Sequence, residues 1–337
     1  MTDAMQQPTK APSHADSHPR LYHYTGEHAF RSIVGTNTLW ATYFEDLNDA
    51  SEFKVLRTPL AEELGDRFIS TVEAFAKRGG WQAETVRSQG GVRPAAAGLG
   101  KILMNNLYKA TFGAPFSESL YPCFVSSFCS HKPDGYIEDN GLLSQWRGYG
   151  GGPDGSYCLV FDTRRFEALM REEQEAYQYF FMGLGVAHYF KDRKEMPPYF
   201  ADLAERGKTI VEAILSASDP ALGALFEPFV EGATTIKHRS FEEEREIRLI
   251  AMPLSQRGDE QMKSVPGYKS KFLRGSFTID SKVKKKRHIS MFRERSKLPI
   301  VRVIVGPALD QRRNEKIARK AVGNDIEVLL SKTPFIA

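Results

Sequence analysis

The chain has 337 residues, of which 41% are hydrophobic, 11% aromatic and 26% charged, and its formal net charge is +4. These values are typical of a folded globular protein and exclude disordered, collagen-like and coiled-coil chains. No apolar run approaches the roughly 20 residues that cross a bilayer, and the N-terminus lacks the apolar core of a secretory signal. Given Cys123, Cys129 and Cys158 without an export signal, we expect a cytoplasmic protein with reduced thiols.

The positive charge is concentrated late in the chain. From Lys269 to Lys297 the sequence has 11 Lys and Arg residues against Asp280 and Glu294, so this basic stretch carries a charge of +9. A block of this kind favours nucleic acid or another polyanion as partner, and the candidate contacts are Lys282, Lys284, Lys285, Lys286 and Arg287. The alternative is a solvated loop whose charges face water.

The first half of the chain alternates between strand and helix patterns. Residues 1–19 are polar and aperiodic, which predicts a disordered tail that is dispensable for folding. A strand over 21–25, a helix ended by Gly35 and a strand over 38–42 follow. We then predict a helix over 51–76, a loop over 79–100 and a helix over 101–109.

The second half has strand patterns on both sides of a long helical region. Strands are predicted at 124–128 and 156–161, and residues 164–232 are predicted to be mainly helical. Strands return at 244–252 and 300–305, and a helix over 310–322 and a strand over 326–330 end the series. The sequence therefore predicts a single α+β or mixed α/β domain over 20–337, with the helical region inserted in a sheet.

One late segment combines acidic, basic and apolar residues at strand spacing. Read as a strand, it places Glu244, Glu246 and Arg248 on one face and Ile247 and Leu249 on the other. A charged strand face needs water, a ligand or complementary charge. The alternatives to a functional site are a helix with a salt-bridged surface and an edge strand protected by its charges.

Two further clusters contain residue types that bind ligands. His23 lies between Tyr22 and Tyr24 in the first predicted strand, where a histidine is by itself more often structural than catalytic. Trp146-Arg147 combines an aromatic ring with a guanidinium, which suits stacking on a base, phosphate binding or packing at a domain edge.

Several chemistries find little support in the sequence. Asn48-Asp49 by itself favours a helix cap. The chain contains no Walker-type phosphate loop, zinc-protease helix or hydrolase nucleophile elbow. The spacing of Cys123 and Cys129 does not suit a zinc knuckle, so no metal is predicted. Cys129 or Cys158 paired with a distant histidine is left open as a nucleophile.

These blocks occur in an order that resembles the domain of unknown function 2971 family over about residues 21–335. The matching blocks are Leu21-Tyr22-His23-Tyr24-Thr25, Leu39-Trp40, Leu47-Asn48-Asp49 with Glu52, Ser127-Phe128-Cys129-Ser130, Ser144 to Gly150, Tyr157 to Asp162, Lys237, Phe241, Glu244, Glu246, Arg248, Val305-Gly306-Pro307 and Ser331 to Phe335. Ala50 departs from the pattern, because the family usually has proline there. The family also implies a setting in bacterial stress or phage defence.

A more distant likeness implies a reaction. The strand–helix–strand opening with a histidine, and a late strand with a glutamate, resemble the ADP-ribosyltransferase arrangement, which implies a mixed, mainly antiparallel sheet. The resemblance implies NAD as substrate, with His23 binding its ribose and Glu246 stabilising the positive charge that develops as nicotinamide leaves. Glu244 is the competing carboxylate, and the candidate cofactor-binding residues are Tyr22, Tyr24, Asn48, Asp49, Trp146, Arg147, Tyr149 and Arg248.

Within that set, the resemblance assigns specific roles. Trp146 or Tyr149 would stack on nicotinamide, Arg147 or Arg248 would bind the pyrophosphate, and Arg248 would favour the ionised form of Glu246. Two readings compete with this enzyme. One is a metal-dependent nuclease that uses Glu244, Glu246 and Asp49. The other is a non-catalytic nucleotide-binding sensor module.

Overall fold

The computed structural model describes residues 13–47, 57–113, 119–131, 135–149, 155–191, 195, 198–216, 223–262, 264–271, 277–279 and 286–334. The helices among them are α1 His14–Ser17, α2 Glu27–Thr36, α3 Arg57–Ala76, α4 Gly80–Ser88, α5 Val92–Phe112, α6 Gly135–Asn140, α7 Leu143–Tyr149, α8 Thr163–Ala176, α9 Pro198–Leu215, α10 Gly223–Thr235, α11 Gln256–Met262 and α12 Gln311–Val322.

The strands, in chain order, are β1 Arg20–Gly26, β2 Leu39–Tyr43, β3 Phe124–Cys129, β4 Ser156–Asp162, β5 Tyr179–Val186, β6 His188–Phe190, β7 Ile236–His238, β8 Glu246–Pro253, β9 Phe277–Ile279, β10 Arg287–Met291, β11 Ile300–Val305 and β12 Glu327–Leu330. Most of the paired strands are antiparallel, which confirms a mixed α+β fold with a mainly antiparallel sheet.

The loop predicted over 79–100 is wrong, because α4 and the first part of α5 occupy it. Small residues in this stretch let two helices approach closely. A Cβ on Gly100 would lie 2.5 Å from the Ala61 carbonyl oxygen, and one on Gly65 would lie 2.9 Å from Cα of Ala97. Glycine and alanine here therefore serve packing between α3 and α5 and do not interrupt the helix.

The predicted helical region over 164–232 is only partly helical, because β5 and β6 lie inside it. β5 forms a long antiparallel ladder with β8, from Tyr179 opposite Pro253 to Val186 opposite Ile247. Gly185 in this ladder stands so close to Thr235 that a Cβ would lie 2.3 Å from its methyl carbon. Pairing with a distant strand thus decides the conformation of a segment whose local pattern is ambiguous.

The predicted tail over 1–19 is too long at its C-terminal end, while residues 1–12 lie outside the described residues. The Ser13 hydroxyl donates to Glu167 at 2.6 Å, and the His14 amide donates to the same carboxylate at 2.8 Å. Nδ1 of His18 lies 2.7 Å from the Ser130 hydroxyl. Polar contacts with distant residues order this segment. Such contacts leave no apolar periodicity in the sequence.

The chain divides into two compact units. Unit 1 consists of Met1–Thr38, Phe128–Glu173 and Phe292–Ala337. Its strands have the order β12-β11-β4-β1, in which β11 and β12 are parallel and the other pairs antiparallel. One side chain cluster of this unit joins two tyrosines, Trp146, two cysteines and aliphatic residues of β4 and β11. A second contains aromatic rings in edge-to-face contact, among them Phe161 and Phe166.

Unit 2 consists of Leu39–Ser127 and Gln174–Met291. Its strands have the order β5-β8-β3-β2-β10-β9, with β6 and β7 as a separate parallel pair. Helices α3, α5, α9 and α10 supply a second core, centred on fully buried residues such as Leu60, Phe68 and Phe229. The prediction of a single domain over 20–337 stays a prediction. Among the described helices, none has the length and apolar character that spanning a bilayer requires.

Candidate functional site

The late charged segment forms β8, a central strand that pairs with both β3 and β5. Glu246 and Arg248 lie on one face, while Ile247 and Leu249 lie on the other and are completely buried. The predicted alternation is therefore confirmed, and the edge-strand alternative is wrong. Glu244 is not on the strand: it ends the short 3₁₀ helix Arg239–Glu244 that precedes β8.

The charged side chains of this segment form a compact ion network with Lys237 of β7. The Lys237 ammonium lies 2.5 Å from Oε2 of Glu244 and 2.9 Å from Oε2 of Glu246. Arg248 binds Glu246 through two nitrogens, Nε at 3.0 Å from Oε1 and Nη2 at 2.9 Å from Oε2. The two carboxylates and two cations balance each other's charge, as buried ions require.

Burial differs among the members of this network. The side chains of Glu246, Arg248 and Lys237 are only 5%, 4% and 7% exposed, whereas that of Glu244 is 15% exposed. Glu246 has both carboxylate oxygens in use, so it forms the centre of the network. Glu244 lies at the accessible end of the network, although the resemblance makes Glu246 the catalytic residue and Glu244 only its competitor.

Neighbouring polar groups complete the network. Arg248 donates from Nη1 to the Thr234 carbonyl oxygen at 2.8 Å. The Glu246 amide donates to the Tyr189 hydroxyl at 2.7 Å. The Lys237 ammonium also lies 4.8 Å from the centre of the Phe241 ring, in cation–π contact. These contacts hold the Arg248 guanidinium, the Glu246 backbone and the Lys237 ammonium in place.

The network sets the ionisation of its members. Burial raises the pKa of Glu246, but Arg248, Lys237 and a hydrogen bond from Ser127 outweigh it and lower that pKa to about 2. Burial lowers the pKa of Lys237, but Glu246 and Glu244 outweigh it, and the pKa rises above its ordinary value. Glu246 and Lys237 therefore stay charged at neutral pH, which agrees with the expected effect of Arg248.

In unit 1, Tyr22, Tyr24 and Trp146 come together around His131. The Tyr22 and His131 ring centres are 4.1 Å apart, and those of Tyr24 and Trp146 are 4.7 Å apart. The Tyr24 hydroxyl lies 2.8 Å from Nε2 of His131. Trp146 is only 5% exposed and donates from its indole to the Asn140 carbonyl oxygen at 2.9 Å. The Trp146 ring is therefore buried in the side chain cluster of unit 1.

The other predicted site residues of unit 1 are more accessible. Tyr149 is 43% exposed, and Arg147 is exposed on the same short helix, α7. His23 is half-buried in β1, with its ring centre 5.6 Å from that of Phe128. A meeting of His23 with Glu246 stays a prediction.

The described part of the basic stretch includes Arg287, whose guanidinium is bound within unit 2. It donates to both oxygens of Asp46, from Nε at 2.9 Å and Nη2 at 2.8 Å. It also lies 4.2 Å above the Tyr43 ring. Lys286 is half-buried. The remaining predicted contacts, Lys282, Lys284 and Lys285, lie outside the described residues, and so do Asn48 and Asp49.

The cysteines are buried thiols. Burial raises the pKa of Cys123 to about 12 and that of Cys158 well above its ordinary value. A thiol that is protonated at neutral pH is a poor nucleophile, so the geometry gives no support to a cysteine-based reaction at these two positions. Within the described ranges, no group of three or more His, Cys, Asp or Glu residues could hold a metal ion.

Sequence reasoning missed three members of the network as site residues: Lys237, Tyr189 and Ser127. Lys237 belonged to the late block of the family resemblance, but nothing in its own segment marked it as an ion-pair partner of Glu246. Tyr189 and Ser127 lie on β6 and β3, far away in sequence. The pairing of β3 with β8 brings Ser127 to the network, and the pairing of β6 with β7 places Tyr189 opposite Lys237.

Comparisons with known proteins bear on the middle of the chain. Searches of curated proteins and of solved structures found no match. Residues 145–249 match the family model DUF2971, described as a protein of unknown function. The matched residues include Trp146, Lys237, Glu244 and Glu246, whereas His23 lies outside them. This match confirms the resemblance to the DUF2971 family over residues 145–249.

Proposed function

We propose that this protein is an NAD-dependent ADP-ribosyltransferase-like enzyme in which Glu244 is the catalytic carboxylate and Glu246 positions it. The observation that carries the proposal is the unequal burial of the two glutamates around Lys237. The Glu244 carboxylate is partly exposed and lies 2.5 Å from the Lys237 ammonium. The same ammonium also binds the buried carboxylate of Glu246. In this proposal Glu244 takes the role that the resemblance assigns to Glu246.

Transfer of ADP-ribose from NAD needs a fixed negative charge beside the atom on which positive charge develops. Cleavage of the bond between nicotinamide and ribose gives the ribose carbon oxocarbenium character, and a preorganised carboxylate beside it lowers the barrier. Glu244 is preorganised by Lys237, and its position ahead of β8 leaves part of its side chain accessible to a ligand. Glu246 supplies no such surface, because Arg248 and Lys237 occupy both of its oxygens.

The test is release of nicotinamide from NAD, with and without a cell lysate as a source of acceptor. We expect E244Q to lower the rate by roughly two to three orders of magnitude, as loss of one charge-stabilising group does. Its thermal midpoint should fall less than that of E246Q, because Lys237 keeps Glu246 as a partner, and the rates are compared at a temperature at which both proteins are folded. E242Q is the matched control, because Glu242 lies in the same 3₁₀ helix but is 61% exposed. H23A should weaken NAD binding if His23 contacts the ribose.

Two results would end this proposal. One is a parent protein that releases no nicotinamide with any acceptor fraction, and the other is E244Q with the activity of E242Q. Metal-dependent cleavage of DNA or RNA in the same preparations would favour the nuclease reading. The cytoplasmic setting expected from the cysteines belongs to the proposal, and so does the role in stress or phage defence, which rests on the family resemblance.

A non-catalytic nucleotide-binding module is the second candidate. It is favoured by the internal charge balance of the network, in which every charged group has an oppositely charged partner. This reading expects NAD or another nucleotide to bind with a measurable heat and no turnover. Calorimetry on the samples used for the nicotinamide assay separates the two candidates.

A further inference from the structure

A positively charged cleft lies between α2 and α12, entirely within unit 1. It has a volume of about 490 Å³. One acidic residue, Asp310, lines it, together with five cationic residues: Arg31 of α2 and Arg312, Arg313, Lys316 and Lys320 of α12. The proposed transferase site uses none of these residues.

Intramolecular ion pairs balance only part of this charge. Arg31 and Arg313 share Glu27, at 2.8 Å and 2.9 Å, and Arg312 lies 3.0 Å from Glu315. Lys316 and Lys320 are exposed, and no acidic residue in the described ranges pairs with either of them. The cleft therefore keeps an excess of positive charge that faces solvent.

The stability of α12 accounts for Lys320, which lies in the last turn, where the helix dipole favours positive charge, but not for the other cations of the row. Arg312 and Arg313 lie in the first turn, where the helix dipole disfavours positive charge. Lys316 follows Arg312 by four residues and precedes Lys320 by four, so both pairs place like charges on neighbouring positions of one face. A bound anion would offset both effects.

The length of the charged row indicates the kind of anion. Arg312 and Lys320 are eight residues apart, which corresponds to about 12 Å along a helix axis. Each strand of double-stranded DNA carries one phosphate about every 3.4 Å of the helix axis. A chain of phosphates, in a duplex or a single strand, can contact the whole row, whereas a compact anion reaches only part of it. The side chains of Arg312 and Arg31 are 79% and 51% exposed, so the row is open to a long ligand.

We propose that this cleft binds the sugar–phosphate backbone of a nucleic acid, with Lys316 and Lys320 as phosphate contacts. Cationic side chains that bind phosphates confer affinity without reading the base sequence. The proposal is independent of the basic stretch Lys269–Lys297, which is a different part of the chain. It is also independent of Glu244, because binding needs no turnover.

The test is fluorescence anisotropy with labelled single-stranded DNA and RNA over a salt series from about 50 to 200 mM. We expect K316Q/K320Q to reduce the slope of log affinity against log salt by about 1.4, or about 0.7 for each phosphate that the protein no longer neutralises. At physiological salt the affinity should fall about tenfold. The thermal midpoint should not fall, because the substitution removes like-charge pairs.

K101Q/K109Q is the matched control. Lys101 and Lys109 are exposed on α5, in the other unit, and their replacement removes the same charge. This control should bind like the parent protein, and so should E244Q.

Three outcomes would overturn the proposal. The first is a parent protein that does not bind nucleic acid even at low salt, and the second is equal binding by K316Q/K320Q and K101Q/K109Q. The third is that inorganic triphosphate binds the parent, loses its affinity for K316Q/K320Q and is not displaced by nucleic acid, since this would make the cleft a site for a compact oligophosphate.

Discussion

The Lys237 ammonium lies 2.9 Å from Oε2 of Glu246, and less than a tenth of either side chain is exposed. This ion pair joins β7 to β8, and Arg248 of β8 binds the same carboxylate. Two cations around one buried carboxylate are stable only while that carboxylate is charged, because an unbalanced buried charge is costly. Loss of any one charge from the network should therefore destabilise unit 2, whether or not the network has a catalytic role.

E246Q should destabilise the protein strongly. The substitution keeps the size of the side chain but leaves Lys237 and Arg248 with one negative charge between them, that of Glu244. Breaking a buried pair in this way costs about 3–5 kcal/mol. Urea unfolding measures the loss, and E242Q should stay within about 0.5 kcal/mol of the parent, since Glu242 is exposed. A loss for E246Q no larger than that of E242Q would contradict the structure.

The free energy of unfolding should depend on pH through the ionisation of Glu246. The pKa of Glu246 is lowered to about 2 in the fold from an ordinary value of 4.5. A lowered pKa stabilises the fold above the unfolded-state value, and this contribution disappears as the pH falls from about 4.5 towards 2. The difference in unfolding free energy between parent and E246Q should hence be constant above about pH 5 and shrink below it. A difference that stays constant down to pH 3 would assign the effect to packing.

R287Q should affect stability more than nucleic-acid binding. The guanidinium and backbone amide of Arg287 donate to Asp46, and hydrogen bonds to a charged group contribute about 1.5–3 kcal/mol. We expect a lower thermal midpoint and an unchanged salt dependence of binding. The salt series of the anisotropy experiment provides the measurement, with K101Q as the charge control. A flatter salt slope for R287Q with an unchanged midpoint would return Arg287 to the predicted phosphate contacts.

G306A tests the packing of Trp146. A Cβ at Gly306 would lie 2.0 Å from the Ser156 hydroxyl and 2.8 Å from the indole ring, so the substitution forces a shift in a packed core and should cost about 1–3 kcal/mol. G35A is the matched control, because nothing lies within 4 Å of a Cβ there and the residue is helical. It should raise stability by about 0.5–1 kcal/mol. Calorimetry distinguishes the two, and equal midpoints would argue against close packing around Trp146.

Removal of residues 13–19 should lower stability. Ser13 and His14 bind Glu167, and His18 binds Ser130, so this segment ties α8 and the end of β3 to the start of β1. A chain that begins at Arg20 should unfold at a temperature more than about 3 °C below one that begins at Ser13. Thermal unfolding of these two chains provides the comparison. Equal midpoints would show that the contacts contribute no net stability, as expected for a dispensable tail.

The sequence by itself predicted most of the strands. β1, β2, β3, β4, β11 and β12 lie where runs of β-branched and aromatic residues indicated them, because those side chains fit a half-buried pleated surface. The alternation in β8 also placed Glu246 and Arg248 together, because a strand's side chains have a fixed period of two. Local geometry decides such features, and one segment is enough to predict them.

Tertiary structure alone decided the rest. β5 is a strand because β8 pairs with it, and the glycine- and alanine-rich stretch of α5 is helical because α3 packs closely against it. Lys237 reaches Glu246 only through the placement of β7 beside the start of β8. Sequence periodicity predicts which face of an element is charged, but burial and pKa depend on residues that distant segments supply.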